Sequence, residues 1–136
     1  MFVLDTNVLS ELRQPRRSNP KVLAWASSQP VAAQFVSAIT VLELELGVLQ
    51  KEQKDAAQGA VLRAWLDGKV LPQFAGRILP LDQAVALRCA SLHVPDPRAE
   101  RDAIIAATAL VHGMTIVTRN AIDFESTGAS VINPWN

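Results

Sequence analysis

The sequence predicts an α/β fold on a largely parallel sheet, and three observations carry that expectation. Short β-rich apolar runs alternate with longer amphipathic stretches of helical period. The runs are only a few residues long, as strands covered on both faces tend to be. The 136 residues are 49% apolar and 19% charged, enough for one well-packed core and too few for two ordinary ones, so a single domain over residues 1–136 is expected.

Phe2-Val3-Leu4 is read as the first strand, and a helix follows from near Val8. Gln14 to Pro20 is read as a loop, and Gln34 to Ser37 as the second strand. Val41, Leu42, Leu44, Val48 and Leu49 mark one helix to about Gln53, and Val61, Leu62, Trp65 and Leu66 mark another from Asp55 to Leu71. Arg77 to Leu79 is the third strand. Asp82 suits the N-cap of a helix ending near His93, because its carboxylate can accept from the first-turn amides, and Pro95 and Pro97 break the chain beyond it. A helix from about Ala99 to His112 is closed by Gly113, a residue at ease in the left-handed conformation. Thr115 to Thr118 and Ser130 to Ile132 complete the strands.

Thirteen basic residues balance thirteen acidic ones, so net charge does not point to nucleic acid. A single cysteine, Cys89, excludes an internal disulfide or a multi-cysteine zinc site and reads as a small buried thiol. No basic region precedes the apolar run at Phe2, and no apolar stretch approaches the roughly 20 residues of a membrane span, so a cytoplasmic protein without membrane association is expected.

The chemistry lies in the carboxylates. Asp5 ends an apolar strand that turns through Thr6-Asn7 into a helix, which puts it at the carboxyl edge of the sheet, where open α/β folds bind ligands. Capping the following helix is the alternative use, and Asn7 could cap equally well. Glu43 lies near the start of its helix with Leu46 and Gly47 three and four residues on, while Glu45 points to the opposite side, toward solvent. A plain first-turn acid favoured by the helix dipole would look the same. Asp102 opens a helix that is apolar almost all round, where a carboxylate is costly unless paired or bound to a cation. Its neighbours Glu100 and Arg101 read as solvated charges. The fourth position is open between Asn120 and Asp123, which follow a strand expected beside the first. Converging carboxylates call for a hard divalent cation, and the chemistry such an ion serves is phosphodiester hydrolysis. His93 and His112, both at helix ends, are assigned structural roles.

Five ordered blocks then resemble one family over nearly the whole chain: Leu4 to Glu11, Ser37 to Leu44 with Gly47, Asp102 to Ala109, Val117 to Asn120 with Asp123-Phe124, and Asn133-Pro134-Trp135. They are similar to PIN-domain toxins of the VapC and FitB-like group. The resemblance implies a three-layer α/β/α fold around a mostly parallel five-stranded sheet. It further implies an endoribonuclease dependent on Mg²⁺ or Mn²⁺, the toxin of a toxin–antitoxin pair, homodimeric and silenced by a small DNA-binding antitoxin. Asp5 and Asp102 match the metal-ligating acids, and Glu43 the acid of the second motif. The chain departs where some relatives carry Asp after Thr-Arg and it has Asn120, so the fourth role passes to Asp123 or is partly lost. The implied reaction is in-line attack of water on an RNA phosphodiester, leaving a 5′-phosphate and a 3′-hydroxyl. Thr6, Asn7, Thr118 and Asn120 would position water or phosphate, and Arg13, Arg16, Arg17 and Arg119 would bind the RNA backbone. Trp65 is assigned either to the core or to a dimer or antitoxin surface.

Two alternatives remain. A phosphoaspartyl enzyme needs a second Asp where this chain has Asn7, which weighs against it. A catalytically weak or silent PIN module serving as a partner-binding subunit is the other, and the departure at Asn120 keeps it open.

Overall fold

The computed structural model describes residues 1–136 as a five-stranded, all-parallel sheet of order β3-β2-β1-β4-β5, flanked on both faces by helices. The strands are β1 (Phe2–Leu4), β2 (Gln34–Ser37), β3 (Ile78–Leu79), β4 (Thr115–Val117) and β5 (Val131–Ile132). Strand order reverses on either side of β1, whose neighbours are β2 and β4, so the crevice beyond its carboxyl end is the topological switch point of the sheet.

The period of two along each strand divides the core. Leu4 and Val117 face one side, with α1 (Thr6–Leu12), α2 (Pro20–Ser28), α3 (Ala38–Lys54) and α4 (Ala56–Trp65), through Val8, Leu9, Val22, Leu44 and Val48. Val3 and Ile116 face the other, against Ile105, Ala106 and Ala109 of α7 (Glu100–His112). Helix α6 (Gln83–Leu92) packs outside α7 through Val85 and Cys89. Residues Ala103 through Ala109 are all buried, and the four alanines among them let α7 lie close to its neighbours.

Asp82 caps α6 by accepting from Val85 N at 3.0 Å, and Gly113 closes α7 at φ 65°, both as expected. Four local readings change. Helix α1 starts at Thr6 rather than near Val8. Helix α2 was not anticipated: Asn19 accepts from Lys21 N and Val22 N, Pro20 occupies the first turn, and only Val22 of the helix is buried. With a single buried position there is little apolar period for a sequence to display. Gln14 to Pro20 holds one 3₁₀ turn at Pro15–Arg17 instead of an irregular loop. Beyond α4 the helix continues as one π turn, Leu66–Val70, and the short α5 (Leu71–Gln73). That widening buries Leu66, Val70 and Phe74 in the main core. Trp65 packs against the same cluster, which assigns it to the core.

Candidate active site

At the carboxyl end of β1 the backbone must leave the sheet, and Asp5 manages the exit. Its N–H still donates to Val117 O at 2.9 Å, while its Oδ1 accepts from Thr6 N at 2.7 Å and so caps α1. Capping and cleft duty are compatible, because the second oxygen, Oδ2, accepts from Thr118 Oγ1 at 2.7 Å and Asn7 Nδ2 at 3.3 Å. Asn7 orients the carboxylate rather than capping the helix. Thr118 is fully buried and in turn accepts from Asn120 N at 3.0 Å, so the loop after β4 steers the strand-β1 acid through one hydroxyl.

Ser37 ends β2 and caps α3, accepting from Ile39 N at 3.1 Å. That start sets Glu43 in the second turn of α3. Thr6 Oγ1 donates to Glu43 Oε1 at 3.1 Å, and Arg101 Nη1 stands 3.7 Å from Oε2. Arg101 is therefore a partner of the cleft and not the free surface charge expected. Asp102, half-buried on the first turn of α7, makes no ion pair. Asp5, Thr6, Asn7, Glu43, Asp102 and Asn120 line one open cleft of about 610 Å³, together with Glu11, Arg17, Arg119 and Trp135.

Electrostatics give the cleft its character. Burial pushes the Asp5 carboxyl above the ordinary Asp value, against the hydrogen bonds from Thr118 and Thr6, and the charge of Asp123 adds to the rise. Burial also raises Asp102, followed by repulsion from Asp5, Asp123 and Glu43. Asp102 thus feels the other three acids, and Asp5 feels Asp123. Asp123 nevertheless is exposed and lines an adjoining groove with Asn120, Ile122 and Asn133, while Asn120 lines the main cleft. Asn120 thus borders both the cleft and the groove, and Asp123 the groove alone.

The donor set is oxygen only, which suits Mg²⁺ or Mn²⁺ and not zinc. Oxygens of the cleft acids do not gather as a group within 4.8 Å of one another, so an ion here would meet some carboxylates directly and others through its own water, the usual habit of Mg²⁺.

One tighter cluster behaves differently. Cys89 Sγ, His93 Nε2 and Glu100 lie together on α6 and α7, with His93 to Glu100 at 3.2 Å and Cys89 to Glu100 at 3.6 Å. Arg98 N donates to His93 Nδ1 at 3.2 Å, which requires the ring proton on Nε2, toward Glu100. A metal-bound imidazole has the opposite arrangement, with its free nitrogen donating. The cluster is a closed hydrogen-bond network, and burial raises the Cys89 thiol, as a structural cysteine requires. His112 closes α7 beside Gly113, as its helix-end reading expected.

Glu45 was expected to face solvent. It instead receives a bidentate pair from Arg63 of α4, at 2.7 and 2.6 Å. The sequence carried the signal in Arg63, but only the α3–α4 crossing brings the two together.

Comparison with known proteins agrees with this geometry. The family model described as the PIN domain matches residues 2–129. A protein named VapC ribonuclease Y4jK from Sinorhizobium fredii is 39% identical over 142 residues, covering 99% of this chain and 98% of its own. Toxin FitB from Neisseria gonorrhoeae is 40% identical over 144 residues, covering 100% and 99%. The solved structure of FitAB bound to a DNA fragment superimposes with a TM-score of 0.86 at 38% identity, covering 100% of this chain and 96% of that one.

Proposed function

We propose, since this chain belongs to the PIN-domain family, that it is a Mg²⁺-dependent endoribonuclease and the toxin of a VapBC-type toxin–antitoxin pair. The observation that carries the reading is the convergence of Asp5 and Asp102, 97 positions apart in the chain (102 − 5), in one cleft with Glu43 where burial and like charge hold both above the ordinary carboxylate range. A structure keeps such a group of acids for a cation or a reaction, since it loses stability by it.

Asp5 and Asp102 are the residues that would hold the ion, with Glu43 reaching it directly or through water. Bound Mg²⁺ lowers the pKa of a water and neutralises charge on the phosphodiester oxygens. The remaining work falls to the chain itself. Thr118 and Thr6 N fix Asp5 as an acceptor on both oxygens, so its orientation is settled before substrate arrives. Glu43, held by the Thr6 hydroxyl and beside Arg101, is placed to take a proton from the attacking water. Asp123 contributes negative potential from the adjoining groove and is the candidate for a second, weaker contribution to acid–base chemistry. Asn7, Thr6 and Asn120 line the cleft and position water or phosphate, whereas Thr118, expected to share that task, is fully buried and acts only through Asp5. No helix is long and apolar enough to cross a membrane. A small DNA-binding antitoxin and a second copy of the chain are the expected partners, supported by the likeness to FitAB on DNA.

The test is cleavage of RNA by the purified chain. Activity that requires Mg²⁺, disappears in EDTA and is lost in both Asp5→Ala and Asp102→Ala is the expected result. Full activity in both variants overturns the assignment of the site. A folded chain that binds the antitoxin but cleaves no RNA supports the silent-module alternative that the departure at Asn120 keeps open.

A further inference from the structure

The acidic cleft contains two arginines, Arg17 and Arg119, that take part in none of the protein's ion pairs. Four carboxylates line the same walls: Asp5, Glu11, Glu43 and Asp102. An exposed, flexible arginine next to such a field would ordinarily swing in and neutralise it. The Arg119 backbone is fixed at two points, and its guanidinium is held at one. Its N–H donates to Asn7 Oδ1 at 3.3 Å, its carbonyl accepts from Asn133 Nδ2 at 3.2 Å, and its guanidinium lies over the Trp135 ring, 5.4 Å from the centroid. The C-terminal segment that does this is itself ordered. Asn133 Oδ1 accepts from Trp135 N at 2.9 Å, and the indole packs against the main core.

The guanidinium stacked on an aromatic face keeps its N–H donors in its plane and unspent, ready for an anion at the rim. A cation parked this way attracts a phosphate without cancelling the carboxylates beneath it.

We propose that Arg119 docks a backbone phosphate of single-stranded RNA beside the carboxylates, and that Trp135 is the residue that positions it. This rests on the ribonuclease reading for its ligand. Trp135 is a positioning residue: it acts through Arg119, so its removal has an effect only while Arg119 is present.

The test uses the full-length chain and a fluorescein-labelled single-stranded RNA oligonucleotide of mixed sequence. Binding is followed by anisotropy over a salt series in Mg²⁺, in an Asp102→Asn background to suppress turnover, and cleavage is followed separately in chains with Asp102 intact. Arg119→Ala should raise Kd roughly fivefold to tenfold and lower the slope of log K against log salt by about 0.7, the loss of one phosphate contact on a single strand. Trp135→Ala should raise Kd roughly threefold, and Trp135→Phe, which keeps a ring face, should stay near the parent. In the Arg119→Ala background, Trp135→Ala should add nothing. Independent, multiplying effects overturn the positioning role, as does an unchanged salt slope in Arg119→Ala. Should Trp135→Ala not fold, Arg119→Ala and Trp135→Phe still decide: an Arg119→Ala chain that binds like the parent refutes the proposal. Cleavage by the unmodified chain without any dependence on Arg119 leaves the ribonuclease reading standing and removes this one. Arg119-dependent binding without cleavage does the reverse.

Discussion

Glu43 and Glu45 sit one residue apart from each other on the same helix, flanking Leu44, and meet opposite fates. Glu45 joins Glu52 and Asp67 around Arg63, a cluster on the α3–α4 face in which every carboxylate has the same cation to share. The pairing holds the Glu45 carboxyl below its ordinary value, chiefly through the Arg63 hydrogen bonds. Glu43 turns instead to a cleft where Asp102 has no ion pair and both Asp5 and Asp102 are raised. Two glutamates on opposite faces of one helix thus do different work. On the matched face each acid reaches an arginine and the group joins two helices, and on the unmatched face Asp102 is left without a cation.

The contrast is broken most sharply by removing one charge from each side. Asp102→Asn should lower Mg²⁺-dependent RNA cleavage by about a thousandfold or more, a loss typical of a principal electrostatic group. The same change should raise stability in EDTA modestly, because it relieves the burial of a charge and then its repulsion by the other acids, both softened by solvent at this half-exposed position. Removing charge from the other cluster should invert both results. Arg63→Met leaves cleavage intact and lowers the melting temperature, with the loss shrinking in molar salt as screened ion pairs do. Thermal melts and initial rates on the two proteins separate the regions, and equal rate losses in both would erase the distinction.

Gly59 probes the matched face by shape rather than charge. A Cβ at this position would lie 2.4 Å from Glu52 Cα, a backbone atom that cannot turn aside. Gly59→Ala should therefore destabilise the chain by roughly 2 kcal/mol or more, although alanine is the better helix former. Urea unfolding measures it, and a neutral or stabilising result would show that α3 and α4 are free to separate.

The pH dependence of Asp102→Asn sharpens the unmatched side. A carboxyl raised in the folded state binds its proton more tightly there than in the unfolded chain, so the native state loses stability as pH rises from the unfolded value, near 3.8, through the raised one. The penalty is full at neutral pH and absent below both values. In EDTA, the stability gain of Asp102→Asn should accordingly be present at neutral pH and vanish toward pH 3.8. Glu45 has the opposite sign, losing its contribution as pH falls, and taking the difference between the two proteins cancels it. A gain that persists in acid would mean that Asp102 is not held by its charge.

Much of the cleft could be read in the chain because its signals are local. An Asp at a strand end, an Asp opening an apolar helix and the capping residues Asp82 and Gly113 each announce themselves within a few positions. The parallel sheet was legible for the same reason, in the length of its strands. What escaped depends on crossings. Arg63 meets Glu45 across 18 positions, and Arg101 meets Glu43 only because α7 packs beside α3. Helix α2 escaped for a different cause, since one buried side chain leaves no period. Trp135 was noticed as part of a block, yet its ring's hold on Arg119 needs the last turn of the chain laid against the loop after β4.

The smallest effect falls on the corner left between Asn120 and Asp123. Asn120 lines the cleft and gives its backbone N–H to Thr118, whose hydroxyl orients Asp5, so its side chain can change while that relay stays in place. Asn120→Asp adds one oxygen-only, charged donor where the cleft now has a neutral amide. With a cation bound the extra carboxylate should be attractive, and the Mg²⁺ concentration for half-maximal cleavage should fall a few-fold. Without one it adds repulsion toward Asp5 and Asp102, and the melting temperature in EDTA should drop. If the cleft is an ion site, affinity for Mg²⁺ must rise while stability in EDTA falls. If Asn120→Asp lowers stability and leaves the Mg²⁺ requirement unchanged, the amide side chain lies outside the ion's reach, and Asp123 becomes the only acid left to complete that corner.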